Sequence, residues 1–427
     1  MTSRPHALIR TIGRWSLTAL MINSIIGVSI FKLPADLAAK LGWLSPLSCL
    51  LAGAGILLVA GCIAEVSSRY EETGGLYLYA RDALGRFAGL LVAWLTWLTR
   101  IAAPAAGANL FCAYLAQFCP VLHSHSAELI VLLLLIGHLA LLNYVGVRTG
   151  QRVNNFFTAV KISFLLFFVL AGAIAWLLRP EVRVGFVPTH TTPTNWFSAI
   201  LLLVYAYGGF EGALSVGGET KNPKRDTPLA LLLALAVVCL LYTAVQFIVL
   251  ALLPQATGSS TPLADAMGRV LGPAGSMAIA AAALLSAYGY LTANLLHAPR
   301  ITFAMGQQGD FPAFFSRIHP RFRTPYVSIL IYAALVYIFA ALGNFEWNAV
   351  LSAVSRLAVY AAMAISVPVL RQRDDGQAQF RLPFAYLFSA AALLFSLVLL
   401  TQMGKAEFYV VGATVVIALA NWVFRRS

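Results

Sequence analysis

The chain reads as an all-α, multi-pass integral membrane protein of about twelve transmembrane helices: a five-plus-five inverted repeat with broken helices 1 and 6, plus two C-terminal helices. Three observations predict this. Its 427 residues are 60% hydrophobic and only 11% charged, with a mean hydropathy of +0.81, far outside the usual soluble range. Apolar stretches of about twenty residues, the length a helix needs to cross a hydrocarbon core, recur from end to end. Finally, the first and sixth stretches are interrupted near their middles by glycine and polar residues.

Taken in order, the spans centre near Gly27, Leu57, Pro104, Leu134, Leu166, Val204, Ala236, Leu284, Leu335, Ala358, Leu393 and Val415. Between them the longest polar connections are Ser68–Arg86, Arg179–Asn195, Pro254–Pro273, Gln307–Pro325 and Arg371–Pro383, none long enough for a soluble domain. Residues 1–427 are therefore expected to form a single transmembrane domain. Its first repeat covers about 12–178, its second about 195–370, and the terminal helices about 384–424. Five crossings separate the two interruptions, so the broken helices enter from opposite sides, as an inverted repeat requires. The first span carries a glycine break, Lys32 and Asp36 in place of a clean apolar region, and is read as retained, not as a cleaved signal.

A net charge of +13 raises the possibility of nucleic-acid binding, but its distribution follows topology. With the N-terminus inside, twenty of the 29 Lys and Arg fall in cytoplasmic segments, five in external ones, and Lys32, Arg100, Lys161 and Arg356 within spans. This positive-inside bias puts both termini in the cytoplasm of a cell whose inner (plasma) membrane holds the chain, and implies no nucleic-acid partner. The five cysteines, Cys49, Cys62, Cys112, Cys119 and Cys239, lack metal-type spacing. No metal and no cofactor are expected, and the oligomeric state is not legible.

The interruptions carry the chemistry. Lipid offers no water to loose backbone, so an unwound helix persists there only where it lines a cavity or a ligand. In the first span, Ser16–Ile26 and Ile30–Ala38 flank Gly27, Val28 and Ser29, whose free N–H groups at a helix start suit a carboxylate. In the sixth, Asn195–Tyr207 runs into GGFEG at Gly208–Gly212, where the carbonyls of Tyr205, Ala206 and Gly208 can accept from an ammonium. Glu211 cannot face lipid and either touches substrate or accepts hydrogen bonds from the loosened backbone. An α-amino acid satisfies both breaks. The candidate site is thus Ile25, Gly27, Val28, Ser29, Tyr205, Ala206, Gly208, Gly209, Phe210 and Glu211. This use of broken helices is the general transporter design, applied here by analogy.

The segments IIGVSIFKLP (Ile25–Pro34), AEVSSRYEETGGLYLYARDALG (Ala64–Gly85), YAYGGFEGALSVGGETKNPKRDTP (Tyr205–Pro228) and APRITFAMGQQGDFP (Ala298–Pro312) resemble signature stretches of the amino acid–polyamine–organocation permeases. The match runs in order from the first to about the tenth span. The resemblance implies alternating access, an amino-acid substrate, and a carboxylate near Gly27–Ser29 with its amino group near Tyr205–Gly209. It also implies that Lys161 occupies the place a sodium ion takes in sodium-coupled relatives. Lys161 then serves as a coupling residue exchanging a proton, against the plainer reading of a lysine snorkelling to the interface.

Arg100, near the middle of the third span, stays charged when buried and needs a partner, for which Glu65, Glu211 or a substrate carboxylate are candidates. Arg100 and Lys161 disfavour cationic substrates: unit charges about 8 Å apart interact by roughly 2 kcal/mol at an effective dielectric near 20. Neutral amino acids are favoured, with acidic ones also compatible. His138, His297, Tyr288 and Tyr290 fall inside spans, the histidines as packing and the tyrosines as packing or cavity wall. GGLYLY (Gly74–Tyr79) and KNPKRDTP (Lys221–Pro228) lie on loops and are assigned no substrate contact.

The expectation is therefore a secondary amino acid permease, proton-coupled and sodium-independent, whose partners are the amino acid, a proton and the lipid bilayer. An exchanger of the same fold is the alternative within the class. An integral-membrane enzyme is the alternative outside it, but no interfacial cluster of His, Asp, Glu or Cys has catalytic spacing. No GxxxxGK[ST] loop is present for ATP-driven pumping.

Overall fold

The structure is a computed structural model describing residues 12–70, 75–146, 151–185, 190–214, 220–253, 256–307, 309–373 and 378–424. In chain order the helices are α1 (Arg14–Ile25), α2 (Leu33–Leu41), α3 (Ser45–Ser67), α4 (Gly75–Leu84), α5 (Arg86–Leu115), α6 (His125–Val145), α7 (Gln151–Leu178) and α8 (Pro193–Tyr207). They continue as α9 (Phe210–Leu214), α10 (Pro223–Leu252), α11 (Pro262–Gln307), α12 (Tyr326–Leu342), α13 (Phe345–Gln372), α14 (Ala385–Leu400) and α15 (Lys405–Phe424). Among the described residues the one β-type pairing is an isolated bridge between Ile12 and Thr220.

Nine stretches of the described chain are long and apolar enough to cross a membrane, and the shorter apolar helices α12 and α14 join them. Helices are the outcome lipid enforces, because each backbone polar group is then satisfied within its own segment. Of the expected span centres, eleven lie inside a helix and the remaining one, Gly27, falls in the gap between α1 and α2. The bundle interior is built where α5 runs along α13 and α3 along α10. Small residues permit that approach: a Cβ on Gly53 of α3 would meet the Cys239 sulfur of α10. Leu134 of α6, Leu170 and Leu178 of α7, and Leu394 of α14 point outward instead, as a lipid-facing rim requires.

Two expected loops contain helix. Within Ser68–Arg86, α4 buries Leu76, Tyr79, Ala80 and Ala83, a spacing of i, i+3, i+4 and i+7 that marks one helical face. Within Pro254–Pro273, α11 begins at Pro262 and kinks where Gly272 adopts φ 68° before Pro273.

Polar contacts close both ends of the bundle. At the end where the described chain begins, Arg371 donates to Glu65 through Nε at 2.6 Å and Nη2 at 2.8 Å, and Arg14 pairs with Asp226 at 3.1 Å. Tyr77 of α4 donates to Asp310. At the other end, Lys32 donates to the Ser259 carbonyl at 2.8 Å and Lys40 pairs with Glu346 at 2.9 Å.

Candidate functional site

Two helix breaks meet at the centre of the bundle. Ile26 N–H still donates to the Ile22 carbonyl at 2.9 Å, after which α1 stops. A single 3-10 turn, Ser29–Phe31, leads into α2. Gly27 and Val28 lie between these elements, and their N–H groups find no backbone acceptor among the described residues.

The second break separates α8 from α9. Thr192, whose hydroxyl accepts from Asn195 N–H, and Pro193 start α8 in the manner expected of a helix N-terminus. It ends at Tyr207 because Gly208 is extended, at φ −77° and ψ 170°, and Gly209 takes φ +116°. That value favours glycine, and a Cβ on Gly209 would run into the Ser24 carbonyl of α1. The two breaks are therefore in direct contact. Tyr242 of α10 ties them together, its hydroxyl lying 3.2 Å from the Ile25 carbonyl and 3.3 Å from that of Ala206.

A small cavity of about 30 Å³ lies between the breaks, lined by Ser24, Ile25, Gly27, Val28, Ser29, Tyr205, Ala206, Gly208, Gly209, Tyr290 and Arg356. Eight of the ten sequence-predicted substrate residues are in this lining. Phe210 is off the cavity, fully buried and stacked on Tyr360 of α13 with centroids 5.9 Å apart. Glu211 is also outside the lining. Its Oε2 accepts from Gly209 N–H at 2.7 Å and its Oε1 from the Tyr360 hydroxyl at 2.5 Å, so it secures the loosened backbone.

Arg356 is the residue that sequence reasoning passed over. It projects from α13 with only 7% of its surface exposed. Its Nε stands 3.3 Å from Glu211 Oε1, and its guanidinium lies against Gly208, where any Cβ would overlap it. A lone arginine within an apolar span was the available signal, the same one that drew attention to Arg100. Its destination, a glycine roughly 150 positions away in sequence, had no local mark.

The other expected residues fall at stated distances from this centre. Lys161 of α7 is buried and donates from Nζ to the Asn23 carbonyl at 3.0 Å, one residue before the cavity-lining Ser24. Arg100 of α5 reaches the neighbourhood of Gly212, where an added Cβ would lie 3.8 Å from its Nη2. Neither proposed acidic partner is available to it, since Glu65 binds Arg371 and Glu211 stands against Arg356. Of the two tyrosines on α11, Tyr290 lines the cavity, packing over Gly107 of α5. Tyr288 turns away, its hydroxyl 3.3 Å from His138 Nε2. His138 and His297 lie on exposed faces of their helices, not in the core or the cavity, a correction that follows from which side of α6 and α11 packs inward. Among the described residues no group of three His, Cys, Asp or Glu is placed to hold a metal ion.

A helical membrane bundle with two broken helices meeting over a small cavity is the architecture of a transporter. Residues 12–419 match the model of a family described as amino acid permease, and the chain belongs to that family. It is thus a multi-pass membrane transporter and not an enzyme. It is similar to the branched-chain amino acid permease BcaP of Bacillus subtilis, 27% identical with 94% of this chain and 90% of that one covered. The serine/threonine exchanger SteT of the same organism is 27% identical, covering 88% and 87%. Its methylthioribose transporter is 28% identical, covering 90% and 86%.

Proposed function

We propose that the chain is a secondary active transporter that binds the zwitterionic end of an amino acid between its two helix breaks and moves it by alternating access. The carrying observation is the juxtaposition itself: Gly27 and Val28, whose N–H groups have no backbone acceptor among the described residues, line one cavity with the carbonyl-bearing backbone of Tyr205–Gly209. The α-carboxylate takes the first and the ammonium the second. These backbone groups serve any amino acid, neutral ones included, while Arg100, Lys161 and Arg356 disfavour cationic side chains. The closures at both ends of the bundle are the gates, with the Glu65–Arg371 end cytoplasmic and the protein in the inner membrane.

Lys161 couples transport to a proton in this reading, and no sodium is needed. Its bond to the Asn23 carbonyl joins the charge state of the amine to the end of α1, where Ser24 and Ile25 wall the cavity. The alternative is obligatory exchange of internal for external amino acid, favoured by the similarity to a serine/threonine exchanger. Uptake of a labelled amino acid mixture into proteoliposomes decides between them. Stimulation by an inward proton gradient without sodium is the expected result. A strict sodium requirement counts against the coupling role, and stimulation only by internal amino acid supports exchange.

A further inference from the structure

We infer that Arg356 selects substrates carrying a second, side-chain carboxylate, so that acidic amino acids bind this site better than their amides or other neutral amino acids. The inference rests on the amino-acid reading of the two breaks and names the side chain that reading leaves open. Arg356 is buried and lines the cavity; its Nε faces Glu211, yet its Nη1 has no hydrogen-bond partner among the described residues. A guanidinium remains charged when buried, and a desolvated charged donor without an acceptor is a costly arrangement.

The surroundings do not supply that acceptor. Glu211 pairs with Nε at 3.3 Å while also accepting from Gly209 N–H and the Tyr360 hydroxyl, and it leaves Nη1 unmet. The cavity lining contains no carboxylate. The N–H groups of the first break are assigned to the α-carboxylate, so the acceptor missing at Arg356 Nη1 comes with the rest of the substrate.

Size points the same way. A cavity of about 30 Å³ holds little more than a water. An amino acid enters only when the guanidinium leaves the face of Gly208. An anionic side chain travels with the arginine as its counter-ion, whereas a neutral side chain leaves the displaced charge unpaired in a desolvated site. Charge-assisted, bidentate pairing with arginine is the geometry a carboxylate provides and a carboxamide does not.

The test is a thermal-shift titration of the purified, full-length protein with L-glutamate, L-aspartate, L-glutamine and L-asparagine, repeated on Arg356→Gln and Arg356→Lys. The acids should bind at least about tenfold more tightly than their amides. Arg356→Gln should bring that ratio close to one, while Arg356→Lys retains part of it. Equal affinity for acid and amide in the unmodified protein overturns the inference, and this comparison needs no variant to fold. Persistence of the acid preference in a folded Arg356→Gln protein overturns it as well. If all four amino acids and a neutral set bind alike, only the Arg356 assignment fails. If none of them binds, the amino-acid reading itself fails and takes this inference with it.

Discussion

The two helix breaks differ in how much room they leave. At Gly27 an added Cβ would come no closer than 3.8 Å to the Ile25 carbonyl and Tyr290 ring, ordinary van der Waals contact. At Gly208 the same atom would overlap the Arg356 guanidinium, and at Gly209 it would strike the Ser24 carbonyl while forcing a side chain to adopt φ +116°. The first break thus leaves room beside the cavity. The second is packed shut by an arginine from one side and by the end of α1 from the other. Glycine in the first is a matter of access, and glycine in the second is a matter of assembly.

That contrast predicts a ranking. Gly209→Leu should have the largest effect: backbone strain of about 1–3 kcal/mol adds to the clash with α1. Uptake in proteoliposomes should fall to background although the protein still inserts. Normal uptake would mean that the breaks do not need to touch. Next, Gly208→Ala should reduce uptake by about tenfold, because repacking a displaced buried guanidinium costs typically ~1–3 kcal/mol. Pairing it with Arg356→Ala sharpens the test. If the methyl group acts by expelling the arginine, the double variant should lose clearly less than the two single losses combined. Additive losses would place the effect elsewhere.

Lys161→Ala should come third, lowering turnover several-fold and abolishing stimulation by a proton gradient. An unchanged pH response in that variant would reduce Lys161 to a tether on Asn23. Smallest of all, Gly27→Ala should leave uptake within about twofold of the parent, the range of substitutions that meet no packing conflict. A large loss there would show that the first break is as crowded as the second.

Much of the architecture was legible because lipid imposes it. Span length, the two glycine breaks and the outward apolar rim each follow from denying water to a backbone, and such rules act on consecutive residues. Helix α4 was missed although its signal was present. Its buried Leu76, Tyr79, Ala80 and Ala83 follow a helical period, but the segment is too short to span a membrane and so read as a loop. What the sequence withheld are contacts made across the bundle. Tyr242 joining Ile25 to Ala206, Arg371 locking Glu65, and Arg356 reaching Gly208 are set by how helices rotate against one another. In each case the residue type hinted at a need for a partner, and only the packing named it. Arg100 makes the point in reverse, since both carboxylates offered to it by the sequence are held by other arginines.

The central claim is that one break reads a carboxylate and the other an ammonium, and ligand chemistry tests it without altering the protein. A thermal-shift screen of the purified chain against the common amino acids identifies the strongest ligand, since binding to the folded state raises its apparent stability. That ligand is then compared with its methyl ester, which lacks the α-carboxylate charge, and its N-acetyl derivative, which lacks the ammonium. Loss of the stabilising shift with both derivatives is the predicted result. A derivative that stabilises the protein as well as the parent amino acid would contradict the account at the break assigned to the missing group.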